Sequence, residues 1–263
     1  MDISSALGII IAIAGILLGL LIEGGHVGQV LQPTAAMIVL GGTTGAVMLQ
    51  FPLTTVATGF VRLVQVFLVP RSNSEAILKQ LLAFAHKARR NGIVSLDQET
   101  NSVQDPFFRQ ALMLAVDGTE PSELRDIMEL RIHIFMERED KIPALYEAAG
   151  GFSPTIGIIG AVLGLIQVMQ HLDHIDEVGR GIAVAFVATI YGVGAANIIL
   201  LPAAGKLRQR IKEQQATMEM ILEGVVSILE GMNPNMMEVK LSAFLPGRKT
   251  TPGKPMKVER GAA

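Results

Sequence analysis

Four long apolar stretches, whose interiors carry no charged residue, constrain this chain of 263 residues more than any other feature of its sequence. The first two cover residues 6–22 and 33–51, and the last two run from about 153 to 170 and from about 179 to 201. Each is long enough for the roughly 17 to 25 residues that a helix needs to cross a bilayer. Half of the residues are hydrophobic and the mean hydropathy is positive, so the pattern predicts an all-α membrane protein with four transmembrane helices.

The segments between these stretches differ in polarity, and this difference indicates how the chain is divided. Charges return in amphipathic patterns after Pro52 and again after Pro202, whereas the last residues are rich in proline, glycine and lysine. We therefore predict five segments: a transmembrane hairpin at 1–51, a cytoplasmic helical domain at 52–152, a transmembrane pair at 153–203, a cytoplasmic C-terminal helix at 204–245 and a disordered tail at 246–263.

Two amphipathic helices are predicted within the helical domain. The first runs from Ser74 to Arg90 and is followed by Asn91 and Gly92, which suit the end of a helix. The second runs from Thr119 to Ala149, and we expect one apolar face of this helix to point inward. That face comprises Leu124, Ile127, Met128, Ile134, Phe135, Ile142 and Leu145.

Lysine and arginine are distributed unevenly around the four stretches, which predicts their orientation. The two short loops hold only Arg180, whereas the other flanks hold Arg62, Arg71, Arg138, Lys141, Lys206, Arg208, Arg210 and Lys212. Because basic residues favour the cytoplasmic side, we expect both large segments and both termini in the cytoplasm. The first apolar stretch follows no basic region and precedes no cleavage pattern, so we expect it to remain in the mature protein.

The composition argues against several classes of function. A net charge of -2 lacks the basic excess that nucleic-acid binding requires, and the chain has no cysteine for thiolate metal sites or covalent catalysis. Motifs for a phosphate loop or a nucleophile elbow are also missing, so neither an enzyme activity nor a cofactor is predicted. His171 and His174 share a short polar loop, but two imidazoles without a defined third ligand do not predict a metal site.

The interiors of the four stretches lack aspartate, glutamate, lysine, arginine and histidine. An ion or proton relay through a bilayer needs such a group at depth, so this chain alone is a poor ion carrier. If this chain takes part in ion conduction, a partner helix must bring the carboxylate. This chain then lines the ion path, and Thr189 is its obvious polar group. The alternative is that the Thr189 hydroxyl bonds back to the carbonyl four residues earlier, which is the commoner use of a threonine in a helix.

Prolines and small residues in the membrane stretches each allow two interpretations. Pro154 and Pro202 fall at the predicted cytoplasmic ends of the last two spans, where proline is ordinary helix punctuation. Alternatively, Pro202 frees a carbonyl near Ile198 and creates a hinge. Rows of small residues let helices approach closely in lipid, within one chain or between copies. These rows are Gly15 with Gly19, Gly41 with Gly45, Gly160 with Gly164, and Gly181, Ala185, Ala188, Gly192 and Ala196.

A charged cluster follows the first predicted cytoplasmic helix. Arg89 and Arg90 lie in the last turn of that helix, and Asp97 and Glu99 follow a few residues later. Basic residues in a last turn suit the helix dipole, so a solvated helix end is one interpretation. A docking surface for a charged partner is the other.

Five motifs, found in order along the chain, carry a resemblance to a known family. They are ARRNGIVSLDQE at 88–99, LAVDG at 114–118, SPTIGIIGAVLGLI at 153–166, AVAFVATIYGVGAAN at 183–197 and EGVVSILEGMNP at 223–234. With them, nearly the whole chain resembles the flagellar motor stator family of MotA and its sodium-type relative PomA, within the MotA/TolQ/ExbB proton-channel superfamily. The resemblance implies a ring in the bacterial inner membrane, in which five copies surround two copies of a peptidoglycan-anchored MotB-type partner.

The resemblance also implies roles for individual residues. The partner's membrane helix brings the ion-binding aspartate, and the family's functional prolines and pore threonine fall on Pro154, Pro202 and Thr189. The cytoplasmic charges that meet the rotor protein FliG fall on Arg89, Arg90 and Asp97, and Glu99 completes the same charged cluster. Sodium-type relatives carry a further acid where this chain has Gln98, which leaves the weight of each rotor contact open.

Ion choice and the nearest rival function follow from two further comparisons with the family. Sodium-type relatives tend to carry a threonine where this chain has Ala161, and the missing hydroxyl removes an oxygen that could replace sodium hydration. We therefore expect H+ as the transported ion, with Na+ as the alternative. The rival is an energiser of TolQ or ExbB type, but those relatives have one span before the cytoplasmic insert, and this chain has two. A passive membrane anchor is a third possibility.

Overall fold

The structure is a computed structural model that describes residues 2–66, 73–170, 172–173 and 175–245. All regular secondary structure within these residues is helical, and the described part of the chain contains no strand. His171 and His174, for which no metal site is predicted, lie outside the described residues. The predicted disordered tail at 246–263 lies outside them as well.

The described residues contain eleven α-helices. Two of these helices continue through π-helical turns into the next helix. The eleven helices are α1 (Ile3–Ile22), α2 (Pro33–Ala36), α3 (Gly42–Gln50), α4 (Leu53–Gln65), α5 (Ser74–Asn91), α6 (Asp97–Thr100), α7 (Pro106–Val116), α8 (Pro121–Gln170), α9 (Ile175–Gly194), α10 (Leu201–Leu229) and α11 (Pro234–Ser242). The π turns are Met37–Gly41, between α2 and α3, and Ala195–Leu200, between α9 and α10. Short 3-10 turns occupy Val27–Val30 and Ile93–Leu96.

Four helical regions are long and apolar enough to cross a membrane, as the sequence predicts. They lie in Ile3–Ile22, Val27–Gln50, Pro121–Gln170 and Val178–Leu229. The fold class is therefore an all-α membrane protein with four membrane-spanning helices.

The chain divides into two compact units. The first comprises Met1–Pro70 with Glu137–Ile211 and contains the apolar stretches. The second comprises Arg71–Met136 with Lys212–Ala263. Its core is formed by α5, α7, α11 and the parts of α8 and α10 that belong to it, and includes tilted rings of Phe84 and Phe108 with centroids 5.7 Å apart.

The prediction that Pro154 lies at a helix end is wrong. The helix predicted at 119–149 and the third span are one continuous helix, α8, in which Pro143 and Pro154 are both interior residues. A proline in a helix interior removes one backbone hydrogen bond, but long flanking helical segments and packing against a neighbour can compensate for that loss. Pro202 likewise lies inside a helical run, as the second residue of α10, directly after the π turn Ala195–Leu200.

The inward face predicted for the helix at 119–149 is correct for most of its members but wrong at Ile134. Leu124, Met128 and Leu145 are buried, whereas Ile134 is 53% exposed and Ile132 is buried instead. Ile132 follows Leu124 and Met128 at intervals of four residues and stays on their face, while Ile134 lies well round the helix from it.

Glycine allows the membrane parts of α8 and α9 to pack with their backbones in contact. A Cβ atom added at Gly192 of α9 would lie 2.5 Å from the Ser153 carbonyl oxygen and 3.2 Å from the Cα of Pro154. A Cβ added at Gly164 of α8 would lie 2.8 Å from the Gly181 carbonyl oxygen. These two rows of small residues therefore join helices within the chain.

The rows on the first two spans behave differently. Within the described chain, Cβ atoms added at Gly15, Gly19, Gly41 and Gly45 would meet nothing within 4 Å. Helix α1 contains no buried residue at all. The structure therefore assigns the last two rows to intramolecular packing and leaves the choice open for the first two.

The backbone contact at Gly192 makes this position intolerant of even one methyl group. We expect Gly192→Ala to destabilise the detergent-purified chain by about 1–3 kcal/mol, because the obstructing atoms are backbone and cannot change rotamer. Gly194→Ala on the same helix is the matched control, since a Cβ there meets nothing within 4 Å. Thermal unfolding measures both, and equal melting temperatures would contradict the prediction.

Candidate functional site

Thr189 lies on α9, half-buried, one residue after the buried Ala188. Its Oγ1 donates a hydrogen bond to the carbonyl oxygen of Ala185 at 3.3 Å, which is the local back-bond expected for a helical threonine. The Cα of Thr189 would lie 3.4 Å from a Cβ added at Gly157 of α8, so the backbone of α8 passes directly beside it. The back-bond satisfies the hydroxyl proton and leaves the oxygen lone pairs able to accept a further bond.

Ala161 lies on α8 at the level of Thr189. It follows Gly160, where an added Cβ would lie 2.7 Å from the Ala188 Cβ, and Ala188 directly precedes Thr189. Pro154 lies about two turns before Ala161 on the same helix, and its Cα lies 3.2 Å from a Cβ added at Gly192. The structure thus places the backbones of Thr189 and Pro154 at the interface between α8 and α9, with Ala161 next to the interface residue Gly160.

Pro202 lies apart from these three, beyond the π turn Ala195–Leu200. Proline has no N–H to donate, so the carbonyl of Ile198 loses its usual partner four residues on. Ile198 lies inside the π turn, where the backbone is already widened. A widened turn followed by a proline is a recognised place for a helix to bend.

The charged cluster lies in the second unit, at the end of α5. Arg89 and Arg90 occupy the last turn of α5 and are exposed. Gly92 follows with a φ of +79°, a left-handed conformation that suits glycine, and the chain then turns through Ile93–Leu96. Leu96 is fully buried and holds this turn to the core, so the exposed Asp97 at the start of α6 is presented on a fixed backbone.

Glu99 is less available than the other three members of the cluster. Its Oε1 forms an ion pair with the Nζ of Lys87 at 2.6 Å, and the side chain is about one-third exposed. The hydrogen bond and the positive charge of Lys87 lower the pKa of Glu99 below its usual value. Glu99 therefore braces the turn between α5 and α6, while Arg89, Arg90 and Asp97 offer exposed charge.

A second ionic cluster stabilises the same unit and was not anticipated. Glu223 of α10 pairs with Arg125 of α8 and, at 2.6 Å, with Lys240 near the end of α11. Lys240 also donates to the Ser227 hydroxyl at 3.2 Å. The hydrogen bond from Arg125, with further contributions from Lys240, lowers the pKa of Glu223 to about 2. Glu223 thus joins three helices around the core of the unit.

Three sets of contacts were missed from the sequence: those of Lys87, those of Glu223, and those of Tyr191 on α9, whose hydroxyl bonds to Val30 and Gln32. Lys87 carried a weak signal, because it lies two residues before Arg89 in the same charged helix end. The partners of Glu223 and Tyr191 are distant in sequence, so no local pattern identifies them.

Comparison with known proteins agrees with this arrangement. Residues 6–92 match the motility protein A N-terminal family, and residues 99–220 match the MotA/TolQ/ExbB proton channel family. Motility protein A of Bacillus subtilis is 33% identical over 252 residues, which cover 94% of this chain and 92% of that protein.

Two solved structures are similar over nearly the full length. The structure of C. jejuni MotAB aligns with a TM-score of 0.89 at 30% identity, covering 95% of this chain and 98% of the other. The flagellar MotAB stator complex from Bacillus subtilis aligns with a TM-score of 0.86 at 33% identity, covering 93% of this chain and 96% of the other. The chain therefore belongs to the motility protein A family of stator proteins.

The Glu223 cluster predicts a specific loss of stability in acid. Because the folded pKa of about 2 lies below the usual 4.5, the contribution is complete above pH 4.5 and is lost as the pH falls toward 2. We expect this contribution to be about 2–3 kcal/mol at neutral pH, since the carboxylate is only partly exposed. Glu223→Gln should remove that part of the acid dependence in denaturant unfolding of the purified chain. The exposed Glu120→Gln is the control, and an unchanged acid profile in Glu223→Gln would contradict the assignment.

Proposed function

We propose that the chain is the membrane subunit of a flagellar stator that couples proton flow to torque on the rotor. A MotB-type, peptidoglycan-anchored partner supplies the ion-binding carboxylate, and five copies of this chain surround a partner dimer in the bacterial inner membrane. Both termini and the second unit lie in the cytoplasm. The chain itself performs no catalysis and holds no resident cofactor.

One observation carries this proposal. The interiors of the four apolar stretches contain no acidic or basic residue, yet the chain matches motility proteins along nearly its full length. A relay through the membrane needs an ionisable group at depth, so the conducting unit must include a second protein. The similarity to two MotAB structures supports a partner of the MotB type.

The α8–α9 interface supplies the wall of the ion path in this proposal. The backbone of Thr189 lies beside Gly157 of α8, its hydroxyl oxygen can still accept a bond, and Ala161 lies close to the same level. A methyl group at Ala161 offers no oxygen to a dehydrated sodium ion, which favours H+ over Na+. Pro154 and Pro202 border this region and serve as positions where α8 and the α9–α10 run can bend.

Torque is transmitted by the exposed charges of the second unit. Arg89, Arg90 and Asp97 form the face that meets FliG, and Glu99 contributes by holding the turn through Lys87. An energiser of the TolQ or ExbB type would direct the same ion flow to envelope proteins. The match of residues 6–92 to the motility protein A N-terminal family favours the stator.

The proposed function is tested by complementation of a strain that lacks its stator genes. We expect this chain with its MotB-type partner to restore swimming that is independent of sodium and is lost when an uncoupler collapses the proton gradient. Swimming that requires sodium would overturn the assignment of H+ and the role given to Ala161. A failure of the complete pair to restore swimming, with both proteins present in the membrane, would contradict the stator function.

The rotor face is tested by charge reversal on α5. We expect Arg89→Glu combined with Arg90→Glu to lower swimming speed by about half or more at unchanged membrane abundance, because like charges would then face the partner surface. Lys79→Glu reverses an exposed charge on the same helix and should leave the speed unchanged. Equal effects of the two changes would indicate a general effect of charge.

A further inference from the structure

Helix α1 is attached to the rest of its unit in an unusual way. It runs for 20 residues without a single buried side chain. Apolar surface gives little drive for helix association in lipid, because the lipid is equally apolar. Polar contacts at and beyond its ends therefore add specific attachment to the partial packing of one face of α1.

The first of these contacts lies at the N-terminal end of α1. Asp2 caps the helix by accepting a hydrogen bond from the Ser5 amide at 3.4 Å. The Asp2 carboxylate also pairs with Lys206 of α10, whose Nζ contacts the Ser5 hydroxyl as well. Arg210, one turn further along α10, lies 3.5 Å from the same carboxylate and donates to the Val66 carbonyl oxygen at 2.8 Å.

The second contact lies just beyond the other end of α1, in the turn that leads to α2. The Tyr191 hydroxyl of α9 donates a hydrogen bond to the Val30 carbonyl oxygen at 2.6 Å. The Tyr191 hydroxyl oxygen in turn accepts a hydrogen bond from the Gln32 amide at 3.3 Å. The phenol thus uses both its donor and its acceptor capacity to hold this turn to α9.

These two contacts lie on opposite sides of the π turn Ala195–Leu200 and Pro202. Tyr191 precedes the π turn Ala195–Leu200, whereas Lys206 follows Pro202. The 15 residues from Tyr191 to Lys206 span about 22 Å of helix, which is less than the roughly 30 Å length of the 20-residue α1. Helix α1 also approaches the π turn itself. The segment from Asp2 to Gln32 is thus attached on both sides of the hinge, by the start of α1 at one end and by the turn before α2 at the other, which limits how far that hinge can bend.

We propose that α1 and its following turn, residues 2–32, act as a brace across the hinge formed by the π turn Ala195–Leu200 and Pro202. Asp2 and Tyr191 are its positioning residues. The brace sets the angle of the first part of α10 relative to α9 and resists its displacement. This inference rests on the proposed stator function, in which bending beyond the ion path contributes to torque.

A brace makes a distinctive prediction, because it works only while both ends are attached. Asp2→Asn keeps a helix cap but removes the charge, and Tyr191→Phe keeps the ring but removes the hydroxyl. We expect each change to alter swimming speed by about twofold or more at equal membrane abundance, as is typical of changes along a coupled element. The double variant should be no worse than the more severe single variant. Two independent local contacts would instead give losses that multiply.

The controls separate this signature from general destabilisation. Asp2→Glu keeps the charge and should restore most of the speed. Tyr146→Phe removes another phenol-to-carbonyl hydrogen bond, made to Gly59 outside the brace, and should leave the speed unchanged. If Asp2→Asn is lost from the membrane, Lys206→Gln breaks the same ion pair from the other side and replaces it in the double variant.

Swimming is measured in the deletion strain that carries this chain and its partner. Unchanged speed in both single variants, or multiplied losses in the double variant, would overturn the brace while the unaltered chain still supports swimming. Failure of the unaltered chain to support swimming would instead reject the stator function on which the brace depends.

Discussion

The backbone contact between α8 and α9 is the constraint on which the membrane part of this protein depends. Apolar side chains gain little by leaving lipid, so the two helices are held by close van der Waals contact, which glycine makes possible. Gly157, Gly164 and Gly192 each have backbone atoms of the opposite helix where a Cβ would lie. This contact leaves no freedom of register, and it sets Thr189 of α9 at the level of Ala161 of α8. The residues proposed to line the ion path are therefore positioned by glycines that have no chemistry of their own.

The hydrogen bonding of polar groups in the first unit is constrained by the bilayer in the same way. An unpaired hydrogen-bonding group in a bilayer is costly, so a functional hydroxyl must be satisfied when it is idle. Thr189 meets this requirement through its bond to Ala185, which leaves acceptor capacity without a buried, unpaired proton. The local back-bond and a role in an ion path are thus compatible. The commoner structural use of a helical threonine does not exclude the functional one.

Local sequence patterns predicted the membrane helices well because hydropathy is a local property. The same rules failed at Pro154, where proline was taken to end a helix, because continuity of α8 depends on its packing and on flanking helical residues. They also treated Glu99 as a free charge, although Lys87 reaches it across the turn that follows Gly92. The partners of Tyr191 lie about 160 residues away in sequence, and only the fold brings them together. The residue types thus indicated which functional groups are present. They did not show which of these groups are already engaged in contacts within the fold.

The distribution of charge explains why the chain needs its partner and how its own motion can be confined. This chain has no carboxylate at depth, so in the proposed stator the field inside its membrane part changes when the partner's group gains or loses its ion. The response must then arise where this chain is able to bend, and the π turn before Pro202 is such a place. Ionic contacts are kept for regions outside the apolar interior, as at Asp2 with Lys206 and at Glu223 with Arg125. In the proposed brace, the contacts of Asp2 and Tyr191 therefore restrict bending to the residues between Tyr191 and Lys206.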